Sequence, residues 1–383
     1  MPSDTVNFPR ESTLREAVNA LNVIAIAQAS NAGDVDSWDA VQQLVRQGLG
    51  PKAFPVGTEF NVVTPTYGTQ KFKVAAHNQH KNALDIAAPT MTLLMNRAIY
   101  GRPFDATNAI YHAPDGLAAG AYYLTLPAGY DVAYGGAKSY QFTLAQAVPA
   151  GGVILFPWAY NTDAALTKVS TFATPAATVA IESNVSVTEG TTGTFLGLAD
   201  GTAPNMNHIQ RARYGSNEYK YSAARLWLNS EAAANAWYVP PTKYSRTPSY
   251  VNVPGFMGEL PADLRAILVP VDHICARNTV FEFDGVVGGG YTVRDKIFIP
   301  SMAEVGFGSN NSIAEGTVMQ LYAAATNADR IKYDSSSPTV SRPWWLRSEL
   351  PSHAYIARYV YDGALHYSIA YNGNGLAPAC TIG

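Results

Sequence analysis

Arg342-Pro343-Trp344-Trp345-Leu346-Arg347-Ser348 is a dense, bulky block, and it runs into a stretch of opposite character, Leu350 to Gly383. That stretch holds five tyrosines (Tyr355, Tyr359, Tyr361, Tyr367, Tyr371), with His353, His366, two serines and two asparagines among them. The block reads as a fixed scaffold strand. The tail has the composition of a recognition surface: Tyr supplies wide, rigid contact with few torsions to freeze, while Ser, Asn and Gly adapt their hydrogen bonds. Tyr355 to Tyr361 and Leu365 to Tyr371 predict a hairpin around Asp362-Gly363, a favoured tight-turn pair.

The tail contains no Lys, Glu, Gln, Met or Trp. Codons with a pyrimidine in the third place encode Tyr, His, Asn, Asp, Ser, Ala, Gly and Arg, among others, but none of those five. Randomising the two adenines of Asn codons leaves that signature. An aromatic-rich terminal hairpin of an ordinary domain is the plainer alternative.

At 383 residues the chain is long enough for two or three domains, each with its own core. Charged residues are few, at 14%, and Tyr, Gly, Pro, Thr and Asn are plentiful, which is a β-rich, loop-rich composition. A net charge of -3 gives no electrostatic case for nucleic-acid binding. Cys275 and Cys380 are isolated, so no metal knuckle or disulfide framework is written here, and a single bridge between them stays open. No apolar run approaches a membrane span, and Met1 to Arg10 shows no basic-then-apolar signal segment. Synthesis in a host cytoplasm without export is therefore the expectation.

Along the chain, Ser12 to Ala32 predicts a helix whose Leu14, Ala17, Leu21 and Ile24 form a short seam, suited either to subunit contact or to packing on its own domain. Ser37 to Gln47 predicts a second helix, stopped by Gly48 and Gly50. Hairpin strands are expected at Thr58–Val63 and Gln70–Ala75, then strands at Tyr122–Leu126, Ser139–Leu144 and Val153–Phe156. Ser222 caps a helix carrying Leu226 and Trp227 on its buried side, and Ser301 with Glu304 forms a capping box at a further helix start. The division read from this order is an N-terminal helical, oligomerising segment (1–50), a β-rich display or accessory domain (51–200) and a binding domain (201–383).

Several motifs recur together: Ser222-x-x-Arg225-x-Trp227-Leu228-Asn229, Gly255-Phe256, Asp295-Lys296-x-Phe298-x-Pro300-Ser301-x-x-Glu304, Trp344 to Ser348, Asp362-Gly363, and Gly375 to Ala379. In this order they resemble the C-type-lectin-fold domains related to formylglycine-generating enzymes. Within these they are most similar to the variable proteins of diversity-generating retroelements, the branch that contains the phage tropism determinants. The resemblance covers roughly residues 200 to 383. Ala377 departs from the commoner pattern, which has Arg there. The resemblance implies an α+β, β-rich protein with a C-terminal C-type lectin fold. It further implies a receptor- or ligand-binding role, in which adenine-directed mutagenesis rewrites surface side chains near the C-terminus.

The variable, ligand-facing positions are then Ser352, His353, Tyr355, Arg358, Tyr359, Tyr361, His366, Tyr367, Ser368, Ala370, Tyr371, Asn372 and Asn374. Trp227, Trp344, Trp345, Leu346 and Arg347 are scaffold. If Ile356 and Val360 face the core, alternation turns Tyr355, Tyr359 and Tyr361 outward, and one of Trp344 and Trp345 is only partly buried. The expected setting is a phage or prophage tail-tip adhesin on a virion, homo-oligomeric and compatible with a trimer. Its partner would be a host-cell-surface protein or glycan; no cofactor, nucleic acid or membrane insertion is expected. Weighed against this are a fixed-specificity carbohydrate-binding module and a structural fibre or baseplate protein.

An enzyme is not expected. Formylglycine-generating enzymes rely on an active-site cysteine pair, and no neighbouring cysteine accompanies Cys380. His77-x-x-His80 is half a metal site without a compelling third ligand. Gly288-Gly289-Gly290 precedes a strand and is no phosphate cradle. Asp362 is the one acidic residue after Glu349, which argues against calcium-dependent binding through the tail.

Overall fold

A computed structural model describes residues 37–108 and 214–383 with few interruptions, Arg211, and between 109 and 210 mainly seven short strands. The expected helix over Ser12–Ala32 with its seam, and most of Tyr160–Asp200, lie outside the described residues. Helix and sheet are mixed and strands dominate, so the β-rich α+β class holds.

Local sequence explains the first elements. Ser37 caps the helix Trp38–Arg46, its Oγ accepting from Ala40 N at 3.3 Å. Asp39 in the first turn and Arg46 in the last complement the helix dipole. Trp38, Val41, Leu44 and Val45 recur at spacings of three and four and are buried, and the Trp38 ring meets Phe60 at 5.6 Å. Gly48, at φ +75°, ends the helix. Strands β1 (Glu59–Thr64) and β2 (Gly68–His77) form an antiparallel hairpin, and β3 (Met91–Met95) pairs with β2.

Next come β4 (Tyr111–Ala113), β5 (Gly120–Thr125), β6 (Ser139–Leu144), β7 (Gly152–Leu155), β8 (Thr178–Ala180), β9 (Ser186–Val187) and β10 (Thr194–Phe195). They make two small sheets, ordered β10-β4-β7-β8 and β6-β5-β9. Ser222 Oγ accepts from Arg225 N at 3.2 Å and caps the helix Ala223–Leu228. Trp227 is fully buried there, its Nε1 donating to Pro254 O at 2.8 Å. After it lie β11 (Val271–Ala276), β12 (Gly290–Asp295), β13 (Ile297–Phe298), β14 (Lys332–Tyr333), β15 (Ser341–Arg342), β16 (Trp344–Glu349), β17 (Ile356–Tyr361), β18 (Ala364–Ile369) and β19 (Ala379–Ile382).

The domain division at residue 200 does not follow the sheets. The largest sheet has the order β1-β2-β3-β19-β13, so the last strand of the chain pairs with β3 on one side and β13 on the other. Gln42 Nε2 also donates to Gly383 O at 2.6 Å. Residues 38–95 and the C-terminal strand therefore share one body. The pairing partners are almost 300 residues apart, and no local pattern encodes them.

The Ser301–Glu304 capping box forms without its helix. Ser301 N donates to a Glu304 carboxylate oxygen at 3.0 Å and Glu304 N to Ser301 Oγ at 3.1 Å, yet only turns follow. Gly306 and Gly308, at φ +88° and +87°, stop propagation, and the Glu304 carboxylate is held from outside by Arg347.

The Trp-rich block is β16, the inner edge of the three-stranded antiparallel sheet β16-β17-β18. All six of its residues are buried. Trp344 and Trp345 are both at 0% exposure, which corrects the expectation that one is only partly covered. Trp344 packs in one cluster with Leu94, Phe298, Met302 and Val360, and Trp345 in a second with Phe104, Tyr219 and Leu376. Both faces of this strand are core because it lies between two packed layers.

Candidate functional site

Beyond β16 the backbone turns out to the surface. β17 and β18 pair from Ile356↔Ile369 to Tyr361↔Ala364. Asp362 and Gly363 make the turn with φ of +48° and +77°, the conformation that Asp-Gly pairs favour. At Gly363 a side chain is excluded twice, by the positive φ and because a Cβ would collide with Asn327 O.

Directly opposed residues share a face. One face carries Ala357, Tyr359, Tyr361, Ala364, His366 and Ser368; the other carries Ile356, Arg358, Val360, Leu365, Tyr367 and Ile369. Trp345 stands opposite Tyr359 and starts an aromatic row on the first face. Its ring meets Tyr359 edge-on at 5.8 Å, Tyr359 stacks on His366 at 5.5 Å, and Tyr361 reaches His366 at 6.4 Å. Burial and the neighbouring Tyr361 raise the Tyr359 hydroxyl above its ordinary pKa.

This arrangement redistributes the sequence-derived positions. Ser352, Tyr361, His366, Tyr367 and Tyr371 are exposed. His353, Tyr355, Arg358, Tyr359, Ser368 and Asn372 are half-buried. Ala370 and Asn374 are buried and do not face a ligand: Ala370 O accepts from Asp105 N at 3.1 Å and Asn374 O from Arg102 N at 2.8 Å, so both backbones are inside the fold. The alternation expected for Tyr355, Tyr359 and Tyr361 is likewise corrected. Their face also carries buried Ala357, so Tyr359 packs inward on Trp345 and only Tyr361 stands clear. Tyr361 and Tyr367 project from opposite faces, so the five tyrosines do not form a single flat patch.

A second aromatic group sits at the base of the hairpin. Tyr355 stacks on Tyr214 at 5.5 Å, His353 meets Tyr355 at 5.4 Å, and Tyr371 N donates to Tyr214 O at 2.7 Å. The loop leading into β17 is pinned by residues that sequence reasoning missed. Asn217 Nδ2 donates to His353 O at 2.6 Å and to Ile356 O at 2.9 Å, and Thr279 N donates to Pro351 O at 2.7 Å. No local signal marks Tyr214, Asn217 or Thr279, because each acts on a segment far along the chain.

Behind the loop lie three buried acids, Glu218, Glu282 and Glu349. Arg211 Nη1 donates to Glu218 at 3.0 Å, Tyr291 Oη donates to Glu349 at 3.0 Å, and Asn278 N donates to both Glu282 and Glu349 at 3.0 Å. Burial first, then the charge of Glu349 on Glu282 and of Glu218 on Glu349, push both carboxyls well above the carboxylate range. The native state thus binds a proton that the unfolded chain releases. That stability is complete below the ordinary value of 4.5 and is lost as pH rises through the raised values. Denaturant midpoints should fall between about pH 5 and 8, with a slope near 1.4 kcal/mol per pH unit for each shared proton. Glu282→Gln should flatten that slope, and equal slopes in the two proteins would dismiss the shared proton.

His80, His273 and Glu304 place possible metal-ligand atoms within 4.8 Å of one another. His77, the other half of the sequence motif, turns away, its Nε2 lying 2.8 Å from Phe54 O. The Glu304 carboxylate already accepts from both Arg347 Nη atoms at 2.6 and 2.7 Å, from Ser301 N, and meets His80 Nε2 at 3.2 Å. A cation placed there would share the space with the guanidinium of Arg347, so the group fits an ion-pair junction better than a metal centre. Cys275 and Cys380 are buried free thiols, and burial raises both.

The described residues thus define a strand-rich α+β protein that presents an aromatic hairpin from a fully buried strand. A family model described as a domain of unknown function, DUF6273, matches residues 192–383, and the chain belongs to that family. No curated protein and no solved structure matches the chain.

Proposed function

We propose that this protein binds a ligand through the aromatic hairpin and its base. The C-terminal portion is read as a C-type lectin fold, and the surface as one diversified by adenine-directed mutagenesis. The observation that carries this reading is the contrast between β16, with every residue buried, and the aromatics it holds out: Tyr361 at 40%, Tyr367 at 61% and Tyr371 at 46% exposure, with His366 beside them. Exposed, rigid aromatics carried next to a fully buried strand suit shape-complementary binding, since little side-chain entropy is lost. The setting we favour is a phage or prophage tail-tip adhesin, oligomeric, with a host-surface protein or glycan as partner. Several copies of a weak site would gain avidity without new contacts. The site is read as binding, not catalytic.

The DNA around the gene tests the diversification directly. An imperfect repeat of the last ~100 bases, beside a reverse transcriptase and differing only at template adenines, is the expected result. A locus without it reassigns the tyrosines to a fixed ligand or to a subunit interface. At the protein level, Tyr361→Ala with Tyr367→Ala should remove binding to host cells while shifting stability by under about 0.5 kcal/mol. Retained binding by that pair would move the contact surface off the hairpin.

A further inference from the structure

A second pocket, away from the tyrosines, has a chemistry that the binding surface does not use. It encloses about 390 Å³ and is lined by Lys73, Asn96, Arg97, Asp329, Lys332 and Tyr333, among others. Lys332 is 4% exposed, and among the described residues no carboxylate lies within ion-pair distance of it. Its Nζ donates to Met95 O at 2.7 Å and lies 5.1 Å from the centre of the Trp344 ring. Arg97 is half-buried and donates to Ser335 O at 3.4 Å, again with no carboxylate partner among the described residues. Lys73 shares Glu59 with Lys71, its Nζ lying 3.5 Å from that carboxylate. The acid on the wall, Asp329, is exposed and its carboxylate accepts from Thr326 N and Oγ1, both at 2.7 Å.

A buried ammonium without a counter-ion is costly, and cationic neighbours add to the cost. Fold stability alone would be served by an apolar side chain at this position. Desolvation, and then the charge of Lys73, lower Lys332 to about 7. An anion in the pocket reverses both penalties at once. We propose that this pocket binds the phosphate or carboxylate group of a small ligand, with Lys332 and Arg97 on the anion and the amide of Asn96 and hydroxyl of Tyr333 on the remainder. Its volume suits a molecule of about sugar size, at the lower end of ligand pockets. Ala328 and Asp329 line the pocket next to Asn327, against which the Asp362-Gly363 turn packs, so the ligand would sit beneath the hairpin turn.

The test is isothermal titration of the full chain with inorganic phosphate, glucose 6-phosphate and glucuronate, in Hepes and in Tris at pH 7.5. At least one should bind in the range of about 1 mM or tighter. The heats should differ between the two buffers, because binding draws a proton onto Lys332. Lys332→Met and Arg97→Gln should each weaken binding tenfold or more, and Tyr361→Ala should leave it unchanged. If Lys332→Met does not fold, Arg97→Gln decides, since that side chain reaches the surface. Phosphate with sugar phosphate binding, but not glucuronate, assigns a phosphate ligand; the reverse assigns a carboxylate. No heat from any of the three, or binding that survives the substitutions, overturns the proposal. The outcome is independent of whether the tyrosines bind a host surface.

Discussion

Arg347→Ala is expected to cost about 3–5 kcal/mol and to remove the cooperative fold under mild denaturant. Arg347 is fully buried, and its guanidinium ties β16 to three other segments, at Ile274, at Ile299–Glu304 and at Glu315. Nη1 donates to Glu304 at 2.6 Å and to Ile299 O at 3.1 Å; Nη2 donates to Glu304 and to Glu315 O, both at 2.7 Å. Nε lies 3.5 Å from Ile274 O, at the edge of hydrogen-bond range. Removing it leaves a buried carboxylate without its counter-charge and carbonyls without their donor, which is worse than never having placed the pair there. The guanidinium, with the His80 contact, holds Glu304 far below the carboxylate range against the opposing pull of burial. Arg347→Met combined with Glu304→Leu should therefore recover a good part of the loss, because the double change removes both charges. Urea denaturation of the two single variants and the pair measures this. A loss below about 1 kcal/mol in Arg347→Ala would show that the junction does not hold these segments together.

Trp345→Ala is the second large effect, again about 3–5 kcal/mol. Its ring is at 0% exposure between Phe104, edge-on at 5.8 Å, and Tyr359, and its Nε1 donates to Arg102 O at 3.0 Å. Truncation opens a cavity between two layers that cannot collapse independently, since β16 is also fixed by Trp344 on its other face. The loss should grade outward along the aromatic row. Tyr359→Ala should cost about 1–2 kcal/mol, because half of the ring packs inward, and Tyr361→Ala under about 0.5 kcal/mol. Equal losses at Tyr359 and Tyr361 would mean that the hairpin is packed as a unit and has no free face. The gradient also bears on function, since a contact surface is free to vary only where stability does not depend on it.

The two sides of that row were unequally legible in the sequence. Asp362-Gly363 between alternating strands gave the hairpin, because a turn that requires positive φ has few residue choices. Ser37, Gly48 and Ser222 marked helix ends, because capping is satisfied within a turn of chain. The bulk of Trp344 to Ser348 marked a buried strand. The side-chain period of two was also legible, but which residues it buries was not. Ala357 and Val360 are both covered, on opposite faces, because core lies on both sides of β17 near β16 and on neither side at the turn.

By itself, then, the sequence determined the elements that close within a few residues: capped helices, the β1–β2 and β17–β18 hairpins, the strand-rich class and the aromatic character of the terminal surface. Tertiary structure alone decided that β19 closes a sheet begun at Glu59, that Ala370 and Asn374 turn inward, that Tyr214 stacks on Tyr355, and that Arg347 meets Glu304 and Lys332 lines a pocket with Arg97. These juxtapositions depend on long-range pairing, whose partners are selected by the shared burial of many side chains and leave no periodic trace in either segment.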